Sequence, residues 1–183
     1  MSSYTLTIDG VDRTTCIGNR SITIADETGS FASTMSFSMV IRDGGDIPEG
    51  DQEVIVIQDS ERIFAGRILK TSPIKRGSLV IWEIGCVDYT RDLDRNLVVE
   101  GYQDMTDKEI IIDIIDNYCG GTDIVYDSVT EGVSISTIVF SYMPPSECFS
   151  VICKLTGRQW YIDYDKDVYY GLRTVEHAPF NIT

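Results

Sequence analysis

Within residues 82–118 the apolar spacing switches from a period of two to one near 3.6, and no single regular element can hold both. Trp82, Ile84 and Cys86 alternate as one face of a strand, which runs into Asp88-Tyr89-Thr90-Arg91-Asp92-Leu93-Asp94-Arg95. Thr106-Asp107-Lys108-Glu109 then has the spacing of a capping box. The Thr106 hydroxyl accepts from the Glu109 amide while the Glu109 carboxylate accepts from the Thr106 amide. Ile110, Ile111, Ile114, Ile115 and Tyr118 follow as an apolar stripe at helical spacing, and Gly120-Gly121 ends it. The stretch holds no catalytic constellation. It joins a β-rich first half to a mixed second half, and the expected domains are 1–97 and 98–183.

The first half reads as strands. Residues 4–8 alternate and stop at Asp9-Gly10, a turn dipeptide, and residues 21–24 form a second short strand. Met35, Phe37, Met39 and Ile41 then face one way while Thr34, Ser36 and Ser38 face the other. Residues 54–57 are apolar throughout, and the next strand carries Gly66, read as a bulge or a barrel corner. Lys75-Arg76-Gly77 turns the chain into residues 79–87. Short strands at this spacing, with no helix between them, predict a small antiparallel barrel or sandwich.

Beyond the isoleucine helix, Pro144-Pro145 opens a second one, since proline suits a first helical turn. It is expected to bury Cys148, Phe149, Ile152 and Leu155 and to end at Gly157. Trp160-Tyr161-Ile162 and Val168-Tyr169-Tyr170 face each other across residues 163–167 as a C-terminal hairpin. The fold class is mainly β, α+β overall, with a mixed second domain of two helices and a hairpin.

Charge narrows the function. The formal net charge is −14, with 10 basic and 15 acidic residues up to Leu97 against 5 and 14 beyond it. A protein that grips duplex DNA needs the opposite balance, because cations must replace counterions on the phosphates. Cys16, Cys86, Cys119, Cys148 and Cys153 are odd in number and irregular in spacing, which fits reduced core thiols rather than a disulfide framework or zinc site. The chain shows no run long enough to span a membrane and no signal-peptide pattern, and Asn181-Ile182-Thr183 is a chance-level sequon.

Asp163-Tyr164-Asp165-Lys166-Asp167 has carboxylates spaced as at the start of a calcium loop. Val168 stands where such a loop needs glycine and Thr174 where it needs glutamate, so a hairpin turn fits better and no metal is assigned. A serine–histidine triad would depend on His177, the single histidine, and no GxxxxGK phosphate loop occurs. No enzyme activity and no cofactor are expected. The alternating charges of residues 88–95 read either as a solvated turn with weak local ion pairs or as a polar contact to a neighbouring subunit.

Taken in order, several motifs resemble phage tail proteins of the baseplate-hub or tail-tip family, the minor tail proteins. They are Ile63-Phe64-Ala65-Gly66-Arg67-Ile68, residues 86–95, residues 106–115, Phe140-Ser141-Tyr142-Met143-Pro144-Pro145 and residues 160–170. The resemblance implies a tail-tube-like β-barrel followed by a mixed domain, and for the full-length protein a trimeric ring that closes the tail tube of a phage or prophage. DNA would pass through the channel without specific binding, tail-tube or distal tail proteins would adjoin it, and tail fibre or spike proteins would attach below. It makes Asp88, Arg91, Asp92, Asp94 and Arg95 the candidate subunit contact. It also implies an N-terminal fragment of a longer protein, located in the virion tail and assembled in the host cytoplasm. The alternatives are a hub or spike protein of a contractile injection system, and a carbohydrate-binding or hydrolytic tail domain using Trp160, Tyr161, Tyr164 and a carboxylate pair.

Overall fold

The computed structural model describes residues 4–18, 21–25, 32–41, 46–77, 79–130 and 132–172. Seven strands come first: β1 (Tyr4–Ile8), β2 (Val11–Asp12), β3 (Thr23–Ala25), β4 (Thr34–Val40), β5 (Glu53–Gln58), β6 (Glu61–Arg76) and β7 (Leu79–Asp88). They form one antiparallel sheet in the order β2-β1-β5-β6-β7-β4-β3. The alternation read from the sequence sets its faces. Met35, Phe37 and Met39 of β4 join Leu6, Val54, Val56, Phe64, Ile68, Ile84 and Cys86 in one buried cluster. Each such side chain contributes about 1.5–3 kcal/mol by leaving water.

The sheet curls, but no continuous ladder closes it among the described residues. Its edge strands have only 2 and 3 residues, too short to pair along their length. After β2 a 3-10 turn (Thr14–Cys16) carries the chain across, and Ile17 makes a single bridge to Met39 on the far side. Where a barrel or sandwich was expected, the described residues form an open sheet whose ends meet at one bridge.

Gly66 is neither bulge nor corner. It pairs with Val54 and Asp88, and a Cβ there would overlap the Val87 carbonyl, so the glycine lets β7 approach. The register irregularities of β6 fall on either side of it, one against β5 that leaves Ile63 over and one against β7 that leaves Leu69 over.

The second half contains α1 (Thr90–Leu93), β8 (Val98–Thr106), α2 (Asp107–Tyr118), β9 (Ser134–Met143), α3 (Pro145–Thr156), β10 (Gln159–Ile162) and β11 (Val168–Gly171). The capping box forms as read: the Glu109 amide donates to Thr106 Oγ1 at 3.2 Å, and the Thr106 amide donates to Glu109 Oε2 at 2.8 Å. Pro145 opens α3, and Gly157 at φ 71° stops it in the left-handed region that a glycine enters at no cost. Cys148, Phe149 and Ile152 are buried, whereas Leu155 is exposed. The inward position at the end of α3 goes to Thr156, whose hydroxyl lies 2.9 Å from that of Tyr170.

β8 and β9 pair as an antiparallel ribbon that the sequence reading did not anticipate. Tyr102, Ile138 and Phe140 from the ribbon pack with Ile110, Ile111 and Ile114 of α2, and with Phe149, Ile152 and Trp160, in a second core. Phe149 meets Trp160 edge-on at 5.3 Å, and Trp160 Nε1 donates to Ser150 Oγ. β10 and β11 form the expected hairpin.

Replacing Gly66 with alanine forces a carbon against the Val87 backbone and is expected to cost about 1–3 kcal/mol, the range for overpacking. Gly85→Ala, on the neighbouring strand with open space above it, should leave the urea midpoint nearly unchanged. Equal losses for the two variants would refute the close-approach account.

Candidate functional site: a charged joint behind the sheet

The charged segment after β7 is local in sequence but reaches three distant parts of the fold. Asp88 ends β7 and forms an Asx turn into α1, its Oδ1 accepting from the Thr90 amide at 2.9 Å. Its Oδ2 accepts from the Ser33 amide, and its own amide donates to the Ser33 carbonyl. Asp94 accepts from the Ser146 amide at 2.9 Å and the Ser146 hydroxyl at 2.6 Å, satisfying first-turn groups of α3. Two residues of one short segment thus tie it to Ser33 ahead of β4, to α1 and to α3.

Asp92 lies between them with a side-chain exposure of 0%. Arg67 Nε, from β6, donates to its Oδ2 at 2.9 Å, and Arg95 donates to its Oδ1 through Nη2 at 2.6 Å and Nε at 3.1 Å. Asp51 sits outside, 3.6 Å from Arg91 and 3.5 Å from Arg95. Burial opposes the charge on Arg67, but its hydrogen bond and attraction to Asp92 outweigh this and raise its pKa. All five candidate contact residues bond within the chain. Arg91 and Arg95, 41% and 42% exposed, are the ones that reach the surface.

A second set of contacts, absent from the sequence reading, fastens the β10–β11 turn to the sheet. Glu53 Oε1 accepts from the Tyr89 hydroxyl at 2.8 Å and from Lys166 Nζ at 3.1 Å, and that ammonium lies 5.0 Å from the centre of the Tyr89 ring. Arg62 Nη1 donates to Asp165 Oδ1 and to the Tyr164 carbonyl, both at 2.6 Å. Burial pushes the Glu53 pKa up, but Tyr89 and Lys166 together overcome it and hold the carboxylate below its ordinary 4.5.

The carboxylates of residues 163–167 diverge. Asp163 accepts from the amides of Asp165 and Asp167, Asp165 pairs with Arg62, and Asp167 accepts from Ser128. The loop is a hairpin turn, and no cluster among the described residues groups three metal-ligating side chains. Trp160 is buried, Tyr164 packs 5.8 Å from Phe64, and Tyr161 stacks on Tyr169 at 4.8 Å, so the three aromatics do not share one surface. Burial pushes the thiols of Cys86, Cys119, Cys148 and Cys153 up to about 12, which leaves them protonated and poor nucleophiles at neutral pH. His177 and Asn181 lie outside the described residues.

Asp107 of α2 was read only as part of the capping box. Its carboxylate is buried, with Oδ2 accepting from the Tyr170 hydroxyl at 2.6 Å and lying 3.4 Å from Arg158. Gly132 passes so close that a Cβ there would collide with that carboxylate.

A curled seven-stranded sheet, backed by a ribbon, two longer helices and a hairpin, recurs in solved structures. The 43 kDa tail protein of prophage MuSo2 from Shewanella oneidensis superposes with a TM-score of 0.75 at 15% identity, over 93% of this chain and 53% of its own. The chain has the fold of phage tail proteins. Prophage tail protein gp18 from Listeria monocytogenes EGD-e gives a TM-score of 0.72 at 9% identity, over 96% of this chain and 52% of its own. The E. coli c3393 protein, a component of the type VI secretion system, gives 0.62 at 16% identity, over 90% and 47%. This chain therefore spans about half the length of the structures it matches. No protein-family model and no curated protein sequence matches it.

Asp92→Ala leaves Arg67 and Arg95 without their shared acceptor and should cost about 3–5 kcal/mol in denaturant unfolding. Arg95→Ala, at a half-exposed pair member, should cost at most about 1 kcal/mol. A lowered folded-state pKa at Glu53 adds stability above 4.5 that is lost as pH falls through the folded value. Acid unfolding below pH 4.5 should therefore be less steep in Glu53→Gln than in the unaltered chain. Parallel curves would remove Glu53 from the acid response.

Proposed function

We propose that this chain is a non-enzymatic structural part of a phage or prophage tail, placed where a baseplate hub closes the tail tube. The observation that carries this reading is the superposition of 93% of the chain on a prophage tail protein at a TM-score of 0.75. On this reading residues 1–97 and 98–183 act as two domains, the sheet and the mixed unit behind it. Three copies form a ring that adjoins tail-tube and distal tail proteins above and fibre or spike proteins below. The net charge of −14 keeps passing DNA from adhering, because acids repel phosphates. The protein then resides in the virion tail after assembly in the host cytoplasm. Arg91 and Arg95, with Asp51 beside them, are the surface part of the charged segment and the proposed contact to the next subunit.

The likeness to the E. coli c3393 protein favours a second reading, a hub of a contractile injection machine. That reading shares the ring and differs in what passes through it.

Electron microscopy of the full-length protein at micromolar concentration tests the ring. The expected image is a closed ring with a channel wide enough for duplex DNA. Arg91→Glu combined with Arg95→Glu should reduce the ring population. A compact monomer with a deep cleft, or polysaccharide cleavage by the purified chain, would defeat the structural reading.

A further inference from the structure

We propose that the outer part of the β6–β7 hairpin is an arm by which one copy of this chain holds the next, its cations seated at an acid-rimmed cavity beside β1. The inference rests on the ring reading above and names a head-to-tail contact within it. Two different surfaces of one chain meet in such a contact, so it repeats from copy to copy and closes as a ring.

β6 runs on to Arg76, but its pairing with β5 ends at Arg67. From Lys70 it pairs with β7 alone, and β7 has no partner in β4 before Ile81. The hairpin therefore stands out from the sheet. Residues 69–80 carry Lys70, Lys75 and Arg76 and no acid, in a chain whose net charge is −14. All three cations are exposed, and among the described residues none of them forms an ion pair. Arg13, Arg62, Arg67, Arg91 and Arg95 all do. Leu69 and Leu79, 60% and 44% exposed, add apolar surface to the arm.

Charge complementarity selects the occupant. A cavity of about 550 Å³ is lined by Asp9, Asp46 and Glu49 together with Val11 and Ile47, both about half exposed. Its one cation, Arg13, lies 3.8 Å from Asp46 and offsets only one of the three acids. No residue of the arm lines it, so each copy leaves its own cavity to another. The Asp51 amide donates to the Ile68 carbonyl and Thr71 Oγ1 to the Pro48 carbonyl, so residues 48–51 run beside the foot of the arm. The cavity lies on the β1 side of them and the arm on the β7 side. Arm and cavity thus occupy different flanks at one end of the sheet, as a contact repeating around a ring requires. The net repulsion of two acidic copies is screened beyond about 8 Å at physiological salt, whereas these opposite charges meet at contact distance.

Sedimentation and electron microscopy of charge-exchanged variants of the full-length protein test this. Lys75→Glu with Arg76→Glu is expected to lower the ring fraction about tenfold, since like charges then face each other, and Asp46→Lys with Glu49→Lys should do the same. All four positions are exposed, so the circular dichroism spectrum should not change. The chain carrying all four changes should regain the ring, because the exchanged charges attract again. A ring that survives both reversals would overturn the contact and leave the ring reading standing. Failure of the fourfold variant to recover beyond either pair would also overturn it. A full-length protein that forms no ring at all would overturn the ring reading, and this contact with it.

Discussion

A carboxylate without access to water sets the terms for much of this structure. Asp92 is fully buried, and an unpaired charge in that position would cost several kcal/mol. Its oxygens are filled by Arg67 from the sheet and Arg95 from the turn after α1. The 2.9 Å pair of Arg67 with Asp92 thus ties α1 to β6. Asp94, two residues on, takes up the first-turn donors of α3, so α3 is placed from the same segment. Burial of one acid is thereby coupled to the placement of a strand, a turn and a helix.

Besides Ala65 and Ile55 of the sheet, which pack into the second core, a smaller and more exposed set of contacts joins the two cores. Lys166 on Glu53, Arg62 on Asp165 and Tyr164 against Phe64 all come from one hairpin turn meeting one sheet. Asp165 is largely exposed, so its pair with Arg62 contributes little by itself. Glu53 is better shielded and bonded twice, which makes it the stronger point of attachment.

Much of the fold was legible because local rules and global packing agree. The period of two in residues 34–40 became β4, the capping box began α2, and Pro145 and Gly157 bounded α3. The β8–β9 ribbon was missed for a physical reason. Its inward residues, such as Tyr102, Ile138 and Phe140, carry a weak alternation split by exposed Val99 and Val139, and the strands lie far apart in the chain. Leu155 was misplaced because helical spacing gives a direction without saying where the core stops. Strand count predicts a curled sheet, as a barrel or a sandwich, but not the length of its edges.

The sequence by itself determined the sheet-then-helix order, the faces of the long strands, the helix ends and the strong acidic charge. Each of these depends on neighbours a few residues apart or on a plain sum. Only the tertiary structure decided the fate of the charged residues 88–95. Read along the chain they are a solvated turn or a subunit contact; in three dimensions Asp88, Asp92 and Asp94 turn inward and Arg91 and Arg95 outward. A carboxylate becomes a structural tie only when a donor from elsewhere, here Arg67 at a separation of 25 residues, is brought to it in a place water cannot reach.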